Sequence, residues 1–261
     1  MTSDFFTTLS EPKQRFQSLE LAATVSYDPA ALGRALSRAG ASNDKAARGT
    51  IRLYGETGSG SGDAWVRYRW RVWWAPPTLW RDELTWSNGE STVIIVRNEV
   101  AVAYVSMQRT LYTSEPIAAT AQDRVLPPDG MKLPTIAERV SEFPLTRPLP
   151  KSEWEVTTLA QEWHMGRVTR RLRARRRAAA PPAADPQQSG YWPGVDEYEC
   201  VVDDALQVLL SVTGLDDGVP VATISADDVR IDTPISPETF TFAPPRGTLI
   251  SHVVNEKTTR A

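Results

Sequence analysis

The stretch from Ala64 to Ala75 constrains this chain more than any other. Val66, Tyr68, Trp70, Val72 and Trp74 alternate with Arg67, Arg69, Arg71 and Trp73. Successive side chains of a strand point to opposite faces. The pattern predicts a strand with one apolar, aromatic face and one arginine-rich face. Pro76-Pro77 ends it, and Leu79 to Trp86 resumes with Trp80, Leu84 and Trp86 on one face. Asn88-Gly89 is a strong hairpin signal. Thr92 to Arg97 then returns, Asn98-Glu99 turns again, and Ala101 to Met107 follows. Turns this short require antiparallel neighbours.

Around this meander the chain reads in further blocks. Residues 1–46 are expected to be helical. Phe16, Leu19 and Ala23 recur at helical spacing after Pro12. Asp28-Pro29 looks like the N-cap and first position of a second helix, which carries Leu32 and Leu36 and stops near Gly40. Residues 47–113 hold the meander, with a first strand near Ile51 and Leu53 and a Gly/Ser hairpin tip at Gly58 to Gly62. Residues 114–150 are rich in proline and read as a loop with a short helix around Thr135 to Glu142. Residues 151–247 carry hairpins. Glu155 to Glu162 pairs with Arg167 to Arg177, and strands follow at Tyr198 to Asp203, Leu206 to Thr213 and Val219 to Arg230. Residues 248–261 read as a frayed tail. The fold class is α+β and mostly β, all one domain.

Composition narrows the function. A net charge of −3 and a pI near 5.6 give no general pull toward nucleic acid or an acidic membrane. Cys200 is the one cysteine, so no internal disulfide exists, and mid-strand it reads as a buried structural thiol. His164 and His252 lie beside no Cys-x-x-Cys, so no zinc site is expected. No nucleotide loop or nucleophile motif stands out, and no metal or cofactor is expected. No run reaches the roughly 20 apolar residues of a spanning helix. The first residues lack the basic and apolar regions of a signal peptide, so a cytoplasmic location is the expectation.

Six tryptophans fall between Trp65 and Trp86, which is more than a core requires. Tyr68, Trp70, Trp74, Trp80, Leu84 and Trp86 are the expected lining of an apolar ligand site. Arg67, Arg69 and Arg71, and Arg171, Arg173, Arg175 and Arg177, form two ladders. They are expected on a solvated face, where they also guard against edge pairing. The carboxylates Glu197, Glu199, Asp203, Asp204, Asp216, Asp217, Asp227 and Asp228 are expected in turns or opposite those arginines rather than in a catalytic pair.

The C-terminal third has a recognisable cadence: Asp196-Glu-Tyr-Glu-Cys-Val-Val-Asp203, a hairpin ending Asp216-Asp-Gly-Val-Pro-Val-Ala222, then Val229-Arg-Ile-Asp232 and Pro237-Glu-Thr-Phe-Thr-Phe-Ala-Pro-Pro-Arg-Gly247. It resembles the bacterial lipoprotein-carrier (LolA-like) family, with its relatives among sigma-factor regulators and mycobacterial lipoproteins, in an actinobacterial form. The resemblance implies a strongly curved antiparallel sheet, an incomplete β-barrel, with helices covering its concave side. It implies a non-enzymatic protein holding a lipid or acyl chain there. Its alternative is a regulatory protein that docks a protein partner through the sheet edge or the 114–150 insertion. Those relatives are exported, unlike the expectation from this N-terminus.

Overall fold

A computed structural model describes residues 16–38, 65–115, 124–128, 131–136, 138–139, 143, 149, 152–177, 191–192 and 194–254. The described strands are β1 (Leu19–Tyr27), β2 (Val66–Ala75), β3 (Leu79–Trp86), β4 (Ser91–Arg97), β5 (Val100–Val105), β6 (Thr110–Thr113), β7 (Trp154–His164), β8 (Arg167–Arg176), β9 (Glu197–Asp203), β10 (Leu209–Asp216), β11 (Val219–Ile231) and β12 (Leu249–His252). They form one 12-stranded sheet in the order β12-β6-β5-β4-β3-β2-β1-β11-β10-β9-β8-β7. The sheet is open rather than closed into a barrel, with β12 and β7 at its ends. Helix is scarce: α1 (Pro29–Arg38), a 3₁₀ turn at Pro237–Phe240, and a helical turn near Thr135.

Local chemistry explains most of these elements. Asp28 Oδ1 accepts the backbone N–H groups of Ala30 and Ala31, each at 2.9 Å, and so caps α1. Thr135 and Glu138 cap each other reciprocally. The Thr135 N–H donates to Glu138 Oε2 at 2.7 Å and the Glu138 N–H to Thr135 Oγ1 at 3.2 Å. Gly89 and Asn98 adopt the left-handed backbone that the β3–β4 and β4–β5 turns require, with φ of 84° and 57°. β3, β4, β5 and β6 then pair antiparallel in sequence order.

Two expectations need correction. The segment read as a helix from Pro12 to Val25 is a strand over Leu19–Tyr27. Leu19, Leu21, Ala23 and Val25 are all buried, so the controlling period is two. The tail is not frayed throughout. Leu249–His252 pairs in parallel with Thr110–Thr113, a segment the sequence pattern does not mark as a strand. β12 reaches β6 from far along the sequence, so no local turn signal announces it. The expected strand at Ile51 and Leu53, the Gly58 to Gly62 tip and the Ala178 to Gly190 loop lie outside the described residues.

The chain divides into two compact units. Unit 1 comprises residues 1–15, 23–68 and 143–228, and unit 2 residues 16–22, 69–142 and 229–261. Within unit 2 both faces of the β3–β5 sheet are buried. Trp73, Val93, Ile95, Tyr104, Leu111 and Phe240 form a core on one face, joined by Ile235 and Phe242. The other face holds Trp80, Leu84, Ile94, Val96, Ala101 and Ala103, all buried. Within unit 1, Trp154, Leu172, Ala174, Tyr198, Cys200, Val202, Leu209 and Val212 are buried along β7 to β10.

Candidate functional site

The aromatic face of β2 and β3 is built by strand alternation. On β2, Trp70, Val72 and Trp74 are buried while Arg67, Arg69 and Arg71 are exposed. On β3, Trp80, Asp82 and Leu84 are buried and Trp86 is half-buried. Register with β4 sets Trp80 opposite Val96, Asp82 opposite Ile94 and Leu84 opposite Thr92. The Trp74 and Trp80 rings lie 5.8 Å apart, and Phe16 meets Trp74 edge-on at 5.1 Å. Edge-on and tilted contacts of this kind suit the ring quadrupoles.

Of the expected lining, the structure places Trp70, Trp74, Trp80, Leu84 and Trp86 in unit 2. Tyr68, half-buried and at the same strand parity as Trp70, belongs to unit 1.

The residue missed by sequence reading sits among them. Asp82 is 1% exposed. The Trp80 indole Nε1–H donates to Asp82 Oδ2 at 2.8 Å, and Arg139 Nε lies 3.6 Å from the same oxygen. Arg139 is buried too. Burial raises the Asp82 carboxyl above the ordinary range. Arg139 and the Trp80 indole pull it back, and the neighbouring Glu83 adds a small push upward. The signal for Asp82 was present, because it lies between Trp80 and Leu84 at the same parity. Arg139 carried no signal, since its partner is 57 positions away and only folding joins them.

Two atoms of this face remain unmatched. Trp74 Nε1 and Asp82 Oδ1 are buried and have no hydrogen-bond partner among the described residues. Buried polar atoms are almost always paired, and an orphan costs about 1–3 kcal/mol. An apolar wall holding one spare donor and one spare acceptor can seat a hydrophobic molecule that carries a polar group.

The arginine side of β2 and β3 behaves differently. Arg71 and Arg81 lie over the Trp73 ring, 4.5 and 5.6 Å from its centroid. Arg81 Nη1 donates to the carbonyls of Thr239 and Thr241 at 2.6 and 2.9 Å, which holds the 3₁₀ segment over that face. The second arginine ladder meets carboxylates as expected. Arg173 pairs with Glu197 and Glu199, Arg175 with Glu197, and Arg171 with Glu162.

The remaining carboxylates do not gather into one site. Asp203 Oδ1 accepts the N–H groups of Ala205 and Leu206 at 2.9 Å in the β9–β10 turn, and Asp227 accepts from Thr24. Asp216 and Asp217 converge with Asp196, and Arg38 pairs with Asp216. Burial, then its neighbours, raises the Asp196 carboxyl. Cys200 is buried as expected, and burial pushes its thiol up to about 12, where it is inert.

Unit 1 has its own aromatic cluster. Tyr198 packs on Trp154 at 4.8 Å, on Tyr191 at 5.2 Å and on Trp192 at 6.1 Å. Its hydroxyl accepts from the Trp192 N–H and donates to the Trp192 carbonyl, at 3.1 and 2.9 Å. Trp192 lies over Gly214, where a Cβ would sit 2.9 Å from Trp192 Cε3.

No family model and no curated protein matches this chain. Solved structures do align with it. An uncharacterized conserved protein from Thermus thermophilus is 9% identical at a TM-score of 0.48, covering 97% of this chain and 100% of that one. A chain of the Pseudomonas aeruginosa MucA/MucB complex is 11% identical at 0.45, covering 92% of this chain and 60% of that one. A LolA superfamily protein from Nitrosomonas europaea is 9% identical at 0.31, covering 91% and 96%. All three TM-scores are below 0.5, so the functional reading rests on this chain's own residues. Among the described residues no helix is long and apolar enough to cross a membrane.

Proposed function

We propose that this chain is a non-enzymatic binding protein that holds a hydrophobic ligand, a lipid or acyl chain. The ligand lies against the unit 2 wall of Trp70, Trp74, Trp80, Leu84 and Trp86. The observation that supports this reading is the pair of unmatched buried atoms, Trp74 Nε1 and Asp82 Oδ1. A face that served only as core would gain stability by pairing or removing them. A ligand with an acyl tail and a hydrogen-bonding group satisfies both needs of the wall.

The test is direct. Protein purified intact is examined by native mass spectrometry and solvent extraction, then titrated with a fatty acid while its tryptophan emission is followed. A co-purified apolar molecule and a saturable change in emission are expected. Trp74→Phe removes the N–H together with part of the ring, so it weakens binding, and an unchanged circular dichroism spectrum separates that loss from unfolding. An empty protein whose emission ignores fatty acids would falsify the reading.

One observation favours a second reading, the docking of a protein segment. β7 is the end strand of the sheet, and Thr157, Thr158, Leu159, Ala160 and Gln161 are all exposed. End strands offer unpaired backbone groups to an extended partner. A stoichiometric partner recovered from the native host, lost on placing a proline at Ala160, distinguishes this reading from the first.

A further inference from the structure

The β7–β8 hairpin ends in a feature that the ligand wall does not use. Trp163 is 75% exposed, Met165 38% and Val168 37%. Trp163 and Val168 face each other across the hairpin. Between them the two-residue turn Met165-Gly166 is left-handed at both positions, with φ of 53° and 71°. Such turns favour Asn-Gly or Asp-Gly, and a methionine in the left-handed region carries a cost. The chain thus holds an apolar residue at the outermost point of the ribbon where a polar one would be easier.

Three of the exposed large apolar side chains gather at this tip, and Leu159 is the other on the hairpin. Thr169, one residue beyond Val168, is fully buried, and its Oγ1–H donates to the Glu162 carbonyl at 3.0 Å. The nearby arginines are matched by carboxylates: Arg167 with Asp203, Arg170 with Asp204, Arg171 with Glu162. The tip therefore presents apolar groups against a locally balanced charge.

We propose that this tip docks at the headgroup layer of a lipid bilayer. Three side chains at the end of one hairpin fall well short of the ~800 Å² per partner that a specific protein interface buries. A bilayer surface sets no such minimum. Tryptophan partitions to the headgroup layer, where its ring is buried and its N–H stays hydrated. At the tip β7 and β8 pair with each other, and the outer edge of β7 stays hydrated at that shallow depth. Balanced charge makes the contact indifferent to lipid charge and resistant to salt. The inference does not require a ligand on the unit 2 wall, because an empty chain would dock equally well.

Sedimentation of the full chain with phosphatidylcholine vesicles tests it. Retention on these vesicles is expected, and it should persist in about 0.5 M salt, where surface charge interactions are largely screened. Trp163→Ala should lower the partition coefficient roughly tenfold or more, the loss of one large buried side chain, while the circular dichroism spectrum is unchanged. Leu126→Ala, which removes a highly exposed leucine of unit 2, should leave partitioning unaltered. Absence of retention, or equal retention of Trp163→Ala, overturns the proposal. So does a wild-type dimer that Trp163→Ala converts to monomer, which would assign the tip to a second copy of this chain.

Discussion

Units 1 and 2 place their arginine–carboxylate pairs in opposite ways. In unit 2 Asp82 and Arg139 are both buried, one pair inside an aromatic face. In unit 1 the β8 arginines meet Glu162, Glu197 and Glu199 at the surface, where several pairs share the load. Burial makes the first pair costly to form and severe to break. Solvent makes the second set individually weak. One arrangement concentrates polar chemistry at a point where a ligand can use it. The other spreads paired charge along a solvated face.

The largest test of this contrast is Asp82→Ala. It removes the acceptor of the Trp80 indole and the carboxylate beside Arg139, and the loss should be roughly 3 kcal/mol or more in urea denaturation. A change of under about 1 kcal/mol would place the pair with ordinary surface pairs and erase the difference between the units. The pH dependence sharpens it. Burial raises the Asp82 carboxyl, so the folded chain keeps that proton to higher pH than the unfolded chain does. The resulting stabilisation is complete below the ordinary value of about 3.9 and is lost as pH rises through the raised one. Asp82→Asn carries no such proton, and its stability curve should lack that decline.

A smaller effect is expected from packing in unit 1. Gly214→Ala would put a methyl group 2.9 Å from Trp192 Cε3 and 3.2 Å from Val195 Cγ1. Overpacking of this kind costs about 1–3 kcal/mol. Loss of near-ultraviolet circular dichroism from Trp192 should accompany the destabilisation. A neutral Gly214→Ala would mean that Trp192 is loosely seated, and that unit 1 tolerates intrusion better than the tight aromatic face of unit 2.

Asp28→Ala comes next, at about 1 kcal/mol for a lost N-cap, read as a lower thermal midpoint. Asp28 also shows what kind of information the sequence carried. Elements governed by short-range chemistry were legible: the cap of α1, the Asn88-Gly89 turn, the Thr135–Glu138 turn and the hairpin at Met165-Gly166. Each is set by residues within a few positions. β1 was misread because Phe16, Leu19 and Ala23 fit a helix while Leu19, Leu21, Ala23 and Val25 fit a strand, and sheet neighbours decide between them. β12 was missed because its pairing with β6 is non-local, and β6, although it returns on β5 through a short turn, is only four residues long. In the candidate site the tryptophans were legible from alternation. Asp82 shared that alternation and was passed over, and Arg139 reaches it only through the fold.

The smallest expected effect belongs to Arg175→Ala. Arg175 Nε donates to Glu197 Oε2 at 2.7 Å, and Arg173 Nε also pairs with Glu197 at 3.1 Å. Removing Arg175 leaves that carboxylate with a partner, so no buried charge is stranded. The cost should be roughly 0.5 kcal/mol or less and should shrink further as salt screens the exposed pair. A double-mutant cycle with Glu197→Gln measures the coupling directly. A coupling above about 1 kcal/mol would show the β8–β9 ladder acting as a cooperative network rather than as separate surface pairs. The two units would then differ in where their charges sit, but no longer in how much the fold depends on them.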